Sequence, residues 1–164
     1  MIQMIHWIID LALLALLFVF MLDGLTFLWV RRVYQIVYRF VIKTNPHCII
    51  MADVDDFKSI NDRFKHRGGD QVLRKVGLLL LKECKGRAFR YGGEEFIILL
   101  PWTNESKAFE LAERIRQKIT TIKIGEINVT VSIGIGNYEE WADKAMYMAK
   151  SKGKNRIEIF KKPG

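Results

Sequence analysis

The spacing of apolar side chains predicts a helix followed by a buried strand after residue 30. Residues 31–43 carry apolar side chains every three or four positions, which predicts a helix with one apolar face. That face comprises Val33, Ile36, Val37, Phe40 and Val41. The largely apolar run 47–54, with Asp53 near its end, predicts a central strand.

Polar and apolar positions alternate with helical spacing again after this strand. Two helices are predicted, over 56–66 and 70–84, with Gly68-Gly69 as the turn between them and Asp70 as the cap of the second. The later predicted elements are strands 87–91 and 95–100, a helix from Asn104 to 119, strand 128–136, helix 138–151 and strand 156–160. The first two of these strands form a hairpin at Gly92-Gly93, for which positive φ angles are expected. This order predicts an α+β fold, with one mixed five-stranded sheet flanked by helices.

The N-terminal segment is apolar enough to suggest a membrane span. Residues 1–22 are interrupted only by Gln3, His6 and Asp10, and a bilayer core requires ~20 apolar residues in a helix. A second register, Leu11 to Val30, remains open, as does a buried soluble helix. We therefore expect an N-terminal transmembrane anchor and domain entry over 1–30 and a separate folded domain over 31–164.

Charge supports this division of the chain. The net charge is +8, and all 26 Lys and Arg residues lie from Arg31 onward. Basic residues just after a span predict that the following domain is cytoplasmic, so we expect a single-pass membrane protein. Cys48 and Cys84 are too few for a disulfide framework or a metal motif.

Two groups of acidic residues suggest a cation site. Asp53, Asp55 and Asp56 end the first predicted strand, and Glu94 and Glu95 lie at the hairpin tip. If these strands are neighbours, the carboxylates meet at one edge of the sheet, where their repulsion calls for a bound cation. Carboxylate oxygens with room for water and phosphate suit Mg²⁺.

The sequence also resembles the GGDEF domain of diguanylate cyclases over residues 45–160. Five blocks occur in the order typical of that family. They are Asp53–Asp62, His66 with Gly69-Asp70, Arg90–Phe96, Val131–Gly134 and Ala142–Arg156. The resemblance implies a palm-like fold and a head-to-head homodimer that joins two GTP molecules into cyclic di-GMP. A nucleic-acid partner is not expected.

The resemblance implies metal ligands for Mg²⁺ or Mn²⁺. Asp53 matches the metal-binding aspartate, and Val54 would add its backbone carbonyl. Glu94 matches the second metal carboxylate. Glu95 matches a further metal contact or the group that activates the attacking 3′-hydroxyl. Glu95, Glu94 and Asp53 are therefore the expected catalytic residues.

The resemblance also implies substrate-binding residues. Asn61 and Asp70 match the pair that hydrogen-bonds guanine, Phe57 and Lys58 match the segment beside the triphosphate, and Lys150 and Lys154 match two basic residues that contact phosphate. The backbone at Gly92-Gly93 would approach the triphosphate, where a side chain would clash.

Several positions depart from the pattern of the family. Phe27 and Val30 replace Gly and Asn in the usual entry motif, and Lys65 replaces the Gly before His66. Glu83–Gly86 stands where an inhibitory RxxD motif would lie, so product inhibition through that motif is not expected. Two other hypotheses stay open: a related palm-type cyclase or polymerase with another nucleotide product, and a catalytically inactive nucleotide-binding membrane module.

Overall fold

The computed structural model describes residues 20–44 and 46–161. The helices are α1 (Arg31–Val41), α2 (Phe57–Cys84), α3 (Glu105–Ile119) and α4 (Glu139–Ser151). The strands are β1 (Trp29–Val30), β2 (His47–Val54), β3 (Ala88–Arg90), β4 (Glu95–Pro101), β5 (Lys123–Ile124), β6 (Ile127–Asn128), β7 (Val131–Gly136) and β8 (Ile157–Ile159).

Six of these strands form one mixed sheet in the order β1-β3-β4-β2-β7-β8. Strand β2 is central and antiparallel to both neighbours, with Asp53 opposite Glu95 on β4 and Ser132 on β7. The outer pairs β1–β3 and β7–β8 are parallel. Strands β5 and β6 form a separate small hairpin.

Apolar side chains cover both faces of the sheet. All of β2 is buried, with Ile50 and Ala52 on the face covered by α2 and α3. Ile49 and Met51 lie on the opposite face, which α1 and α4 cover. The α+β architecture predicted from the sequence is confirmed, and its central strand is buried because helices pack on both sides.

The sheet differs from the prediction in its number of strands. The described residues form a six-stranded sheet, and the additional strand is β1, whose Trp29 and Val30 pair with Phe89 and Arg90. A two-residue strand at an edge leaves no alternating pattern in the sequence. The surrounding apolar residues resembled a membrane segment instead.

The domain entry packs against the fold and is not part of a membrane helix. Within the described part of the chain, no helix is both long and apolar enough to cross a membrane. The register Leu11–Val30 is wrong at its C-terminal end, because residues 21–30 form a turn and an edge strand. Thr26 and Leu28 are buried, and Thr26 lies so close to Gly77 of α2 that no side chain would fit there. The alternative register, 1–22, lies almost entirely outside the described residues.

Helix α2 breaks at a different residue from the one predicted. Lys65 has φ 60° and ψ 179° inside α2, so the chain kinks there. Gly68 and Gly69 are buried helical residues and form no turn, and Asp70 is an exposed residue within the helix, not its cap. A side chain at Gly69 would overlap Asn61, so this glycine permits close packing across the kink.

The buried face of helix α1 agrees with the predicted one in part: Val33, Val37 and Val41 pack in the core, whereas Ile36 and Phe40 do not. Tyr34 and Val41 are buried, and Val33 and Val37 pack beside them. Ile36 and Phe40 are 59% and 68% exposed. Tyr34 was missed because its hydroxyl counts as polar in a simple pattern, although its ring packs well in a core.

Glycines on β7 allow α4 to lie directly on the sheet. A Cβ at Gly134 would collide with the backbone of Ala142 and Met146, and one at Gly136 would collide with the backbone of Ala142. This close approach fixes the height of α4 above β2 and β7. It thereby brings the C-terminal turn of α4 to the end of β2.

Candidate active site

The end of β2 and the turn before β4 lie side by side. Asp53 is directly opposite Glu95 in the antiparallel pair, so the two side chains share one face of the sheet. The backbone N–H of Val54 donates to the carbonyl of Glu94 at 3.2 Å. The acidic strand end and the acidic turn therefore meet at one edge of the fold.

Lys150 of α4 supplies a positive charge at this edge. Its Nζ lies 2.8 Å from Oδ2 of Asp53, whose side chain is 8% exposed. Burial raises the pKa of the Asp53 carboxyl above its ordinary value, and Lys150 opposes that rise. Glu94 and Glu95 raise the same pKa further, because their negative charges lie near it.

The next two aspartates have different surroundings. Asp55 is buried and accepts hydrogen bonds from the hydroxyls of Thr130 and Ser132 at 2.7 and 2.6 Å. It also accepts from the backbone N–H of Asn155 at 3.0 Å, so its carboxylate joins β7 to the chain after α4. Asp56 is exposed and pairs with Lys154 at 2.6 Å.

The oxygen donors at this edge fit a hard divalent cation. Mg²⁺ in nucleotide sites is held by one or two carboxylates together with substrate phosphates and water. Asp53 and Glu94 meet that requirement, and the Lys150 ammonium already marks a place where Asp53 attracts positive charge. Among residues 20–44 and 46–161, no three His, Cys, Asp or Glu side chains converge as a complete metal cluster.

Four residues predicted to bind the nucleotide lie in the N-terminal half of α2. The glycine contact described above places Asn61 and the ring of Phe57 against Gly69, the residue before Asp70. Lys58 and Asp70 are exposed, and Asp70 lines a cavity with Leu25 and Arg74. The structure thus brings the predicted guanine and triphosphate residues to the same part of α2.

The diglycine turn differs from the expectation for its backbone. Neither Gly92 nor Gly93 has a positive φ; the glycines with positive φ in the described ranges are Gly86, Gly125 and Gly153. A Cβ at Gly92 would meet the carboxylate oxygen of Glu95, which would have to move aside. Gly93 is exposed with open space around it.

A further ion pair holds the turn in place through a hydrogen bond to its backbone. The guanidinium of Arg90 donates to both carboxylate oxygens of Asp23, at 2.9 and 3.0 Å, and to the carbonyl of Gly93 at 2.8 Å. Burial alone would raise the pKa of Asp23, but hydrogen bonds from Thr26 and Arg90 outweigh it and hold this pKa below its ordinary value. No local pattern in the sequence predicts this contact, because Arg90 and Asp23 lie 67 positions apart.

Glu139 was missed entirely. Its carboxylate accepts hydrogen bonds from the hydroxyls of Tyr34 and Tyr91, each at 2.5 Å. Tyr91 directly precedes the diglycine turn, so this contact belongs to the surroundings of the site. The only available signal was an acidic residue in the first turn of a helix, which is common for reasons of helix dipole alone.

Comparison with known proteins agrees with the resemblance found in the sequence. The family model described as "Diguanylate cyclase, GGDEF domain" matches residues 21–156. Diguanylate cyclase A of Treponema denticola is 42% identical over 130 residues, covering 69% of this chain and 35% of the relative. Diguanylate cyclase DosC of Escherichia coli K12 is 38% identical over 132 residues, covering 71% of this chain and 29% of the relative. The chain thus spans about a third of the length of these relatives.

A solved structure matches nearly the whole chain. The coiled coil and GGDEF domain of DgcB from Caulobacter crescentus, in complex with c-di-GMP, superposes with a TM-score of 0.86. It is 26% identical in sequence, and the match covers 96% of this chain and 94% of that one.

Proposed function

Because this chain belongs to the GGDEF-domain family of diguanylate cyclases, we propose that it condenses two GTP molecules into cyclic di-GMP. The observation that supports this most directly is the meeting of Asp53 with the Glu94–Glu95 turn at one edge of the sheet. Lys150 and Lys154 lie at the same edge, where their charges suit a triphosphate.

The residues at this edge have separate tasks in the proposed reaction. Asp53, the Val54 carbonyl, Glu94 and Glu95 would hold Mg²⁺ or Mn²⁺, which supplies positive charge to offset that of the triphosphate. Phe57 and Lys58 flank the triphosphate, and the open space at Gly93 lets phosphate approach the backbone. Asn61 and Asp70 pair with the guanine edge, and a carboxylate there accepts from N1–H and N2–H, which adenine lacks.

In the proposed reaction, one bond forms and one bond breaks at the α-phosphorus of each of two GTP molecules. The 3′-oxygen of each GTP attacks the α-phosphorus of the other, and the bond from that phosphorus to pyrophosphate breaks. Each event releases one pyrophosphate and one proton, and Glu95 is the group proposed to accept the proton. Lys150 and Lys154 stabilise the negative charge that gathers on the phosphates.

Ring closure requires a second copy of the chain. Each protomer offers one acidic edge, so we propose that two protomers bring their edges together head to head. Activity per protomer then rises with protein concentration until the dimer is saturated. A membrane anchor over residues 1–22, which lie almost entirely outside the described residues, would raise that local concentration. We also propose the inner-membrane location that this anchor implies, and extraction of cell membranes with alkaline carbonate tests it.

Mass analysis of products tests the reaction. Purified full-length protein is incubated with Mg²⁺ and GTP, with ATP, or with both nucleotides. Cyclic di-GMP from GTP alone is expected, with no dinucleotide from ATP. A mixed or linear product would favour the related cyclase or polymerase instead.

Variants separate an enzyme from a nucleotide-binding module. Glu95→Gln should retain GTP binding and lose at least tenfold in turnover, as expected when a group that acts in the transition state is removed. Glu110→Gln, an exposed substitution of the same kind on α3, should behave like the parent. Absence of product from concentrated parent protein, with GTP binding intact, would favour the inactive module.

A further inference from the structure

The carboxylate of Glu139 joins three parts of the fold. Oε2 accepts from the hydroxyl of Tyr34 on α1, and Oε1 accepts from the hydroxyl of Tyr91 before the diglycine turn. Glu139 itself is the first residue of α4. One side chain therefore connects two helices and the acidic turn.

The contact to α1 is rigid. Tyr34 is 1% exposed. The centre of its ring lies 5.5 Å from the ring centre of Tyr38, 5.7 Å from that of Phe89 and 5.6 Å from that of Tyr91. Tyr34 thus anchors the side chain of the residue that opens α4 to α1.

The contact to the turn is equally direct. The backbone N–H groups of Tyr91 and Gly92 both donate to the carbonyl of Glu95, at 2.8 and 3.2 Å. Arg31 of α1 donates to the hydroxyl of Tyr91 at 3.0 Å, and its guanidinium lies 4.2 Å from the centre of the Tyr91 ring. The position of Tyr91 therefore determines the position of the turn and of Glu95.

The hydroxyls remain donors over a wide pH range. Burial raises the pKa of Tyr91 to about 12, and the hydrogen bond to Glu139 adds to the rise. Burial raises the pKa of Tyr34 as well. Both tyrosines therefore stay protonated at neutral pH and present their hydrogens to Glu139.

The far end of α4 reaches the reaction centre. Lys150 in its last turn pairs with Asp53, while Glu139 in its first turn holds Tyr91. A shift of α1 that moved Tyr34 would therefore act on the turn through Tyr91 and on Asp53 through α4. Rigid elements with several shared contacts are the physical means by which such a shift is transmitted.

We propose that Glu139 is a positioning residue that holds the Gly92–Glu95 turn and α4 in register with α1, so that a displacement of α1 changes the geometry of the turn. The catalytic part of this inference rests on the proposed function, and the structural part does not. Glu139 acts through Tyr91 and needs no contact with substrate.

Hydrogen exchange of the full-length protein tests the structural part without any assay of activity. In Glu139→Gln, where the amide nitrogen cannot accept from Tyr91 or Tyr34, the peptide containing residues 91–96 should exchange roughly tenfold faster. Tyr34→Phe should speed exchange in the same peptide, although the substitution lies on α1. Glu140→Gln is the matched control, since Glu140 is exposed and bonds only Lys144 on its own helix.

Turnover supplies the catalytic arm. If the parent makes cyclic di-GMP, Glu139→Gln and Tyr91→Phe should each lower kcat roughly tenfold with the KM for GTP within about twofold, because the guanine contacts lie on α2. The double variant Glu139→Gln/Tyr91→Phe should lose no more kcat than the worse single variant, since both substitutions remove the same hydrogen bond.

The possible results distinguish the positioning role of Glu139 from the proposed activity. If residues 91–96 exchange in Glu139→Gln and Tyr34→Phe as they do in Glu140→Gln, the inference is overturned whatever the activity. If the parent makes no product, the proposed function fails, and hydrogen exchange still decides whether Glu139 positions the turn. Losses of kcat that only follow the folded fraction would also contradict the inference.

Discussion

The ammonium of Lys150 lies 2.8 Å from a carboxylate oxygen of Asp53. This pair connects the last turn of α4 to the end of the central strand, beside Glu94 and Glu95. Burial and the nearby glutamates both disfavour the ionised form of Asp53, and Lys150 is the group that opposes them. The local charge balance without a bound cation therefore depends on one lysine.

Replacing Lys150 by Met should make the stability of the protein depend on divalent cations. In EDTA we expect the free energy of unfolding to fall by about 1 to 2 kcal/mol, less than for a fully buried pair because part of Lys150 is exposed. Mg²⁺ should restore more stability to this variant than to the parent, since it replaces the lost charge. Thermal unfolding with and without Mg²⁺ measures both effects.

Lys144→Met provides the control for this experiment. Lys144 lies on the same helix and pairs with Glu140, with both side chains largely exposed. Its loss should cost only a few tenths of a kcal/mol and should leave the response to Mg²⁺ unchanged. Equal responses in the two variants would mean that Lys150 does not balance the charge of Asp53.

Asp23→Asn should destabilise the protein in a pH-dependent way. The carboxylate of Asp23 binds Arg90 and Thr26, and its loss should cost about 1 to 2 kcal/mol at neutral pH. Since the pKa of Asp23 is lowered in the folded state, this contribution is complete above the ordinary value of 3.8 and is lost as the pH falls through the lowered pKa. Denaturant titrations of parent and variant from neutral pH to below 3.8 should therefore converge. A gap that stays constant, or one equal to that of the exposed Asp62→Asn, would contradict the assignment.

Lys65→Gly should stabilise the protein. Lys65 adopts φ 60° and ψ 179°, a backbone region that is essentially restricted to glycine and costs other residues on the order of 1 to 3 kcal/mol. Glycine relieves this strain but gains entropy in the unfolded chain, so we expect a net gain of about 1 kcal/mol. Lys82→Gly, at an exposed helical position of α2, should instead lose about 1 kcal/mol. Chemical denaturation of both variants tests the opposite signs.

Gly134→Ala should disrupt the packing of α4. The added methyl group would meet backbone atoms of Ala142 and Met146, which cannot rotate away, and we expect a loss of roughly 3 kcal/mol or more. Gly24→Ala is the control, because nothing lies within 4 Å of its new methyl group. Melting temperatures of the two variants give the comparison. Similar values would show that α4 can move off β7 at little cost.

The strong patterns in the sequence predicted most of the fold. Strand β2 and helix α3 were recognised because a long apolar run and a capped amphipathic helix each carry their own signal. Asn104 does cap α3, with its side chain accepting from the N–H of Lys107 at 3.1 Å. The meeting of Asp53 with the glutamate turn followed from one condition, the adjacency of β2 and β4, which the structure satisfies.

The features that the sequence did not predict depend on contacts between distant residues. Strand β1 exists because Trp29 and Val30 meet β3, and the kink at Lys65 exists although the residue itself disfavours it. Gly92 has no positive φ, and a Cβ at this position would contact the carboxylate of Glu95. Such causes become visible only when the partner residue is placed in space.

The burial of Thr26 and Leu28 also has a practical consequence for recombinant work. A truncation that starts at Arg31 would remove Thr26, which packs on Gly77, and strand β1, which pairs with β3. Strand β3 would then be an exposed sheet edge, which favours aggregation by strand pairing. Insolubility of such a fragment would then reflect where the chain was cut and would not count against the proposed function. Cleavage on the N-terminal side of Met21 leaves Thr26 and β1 in place.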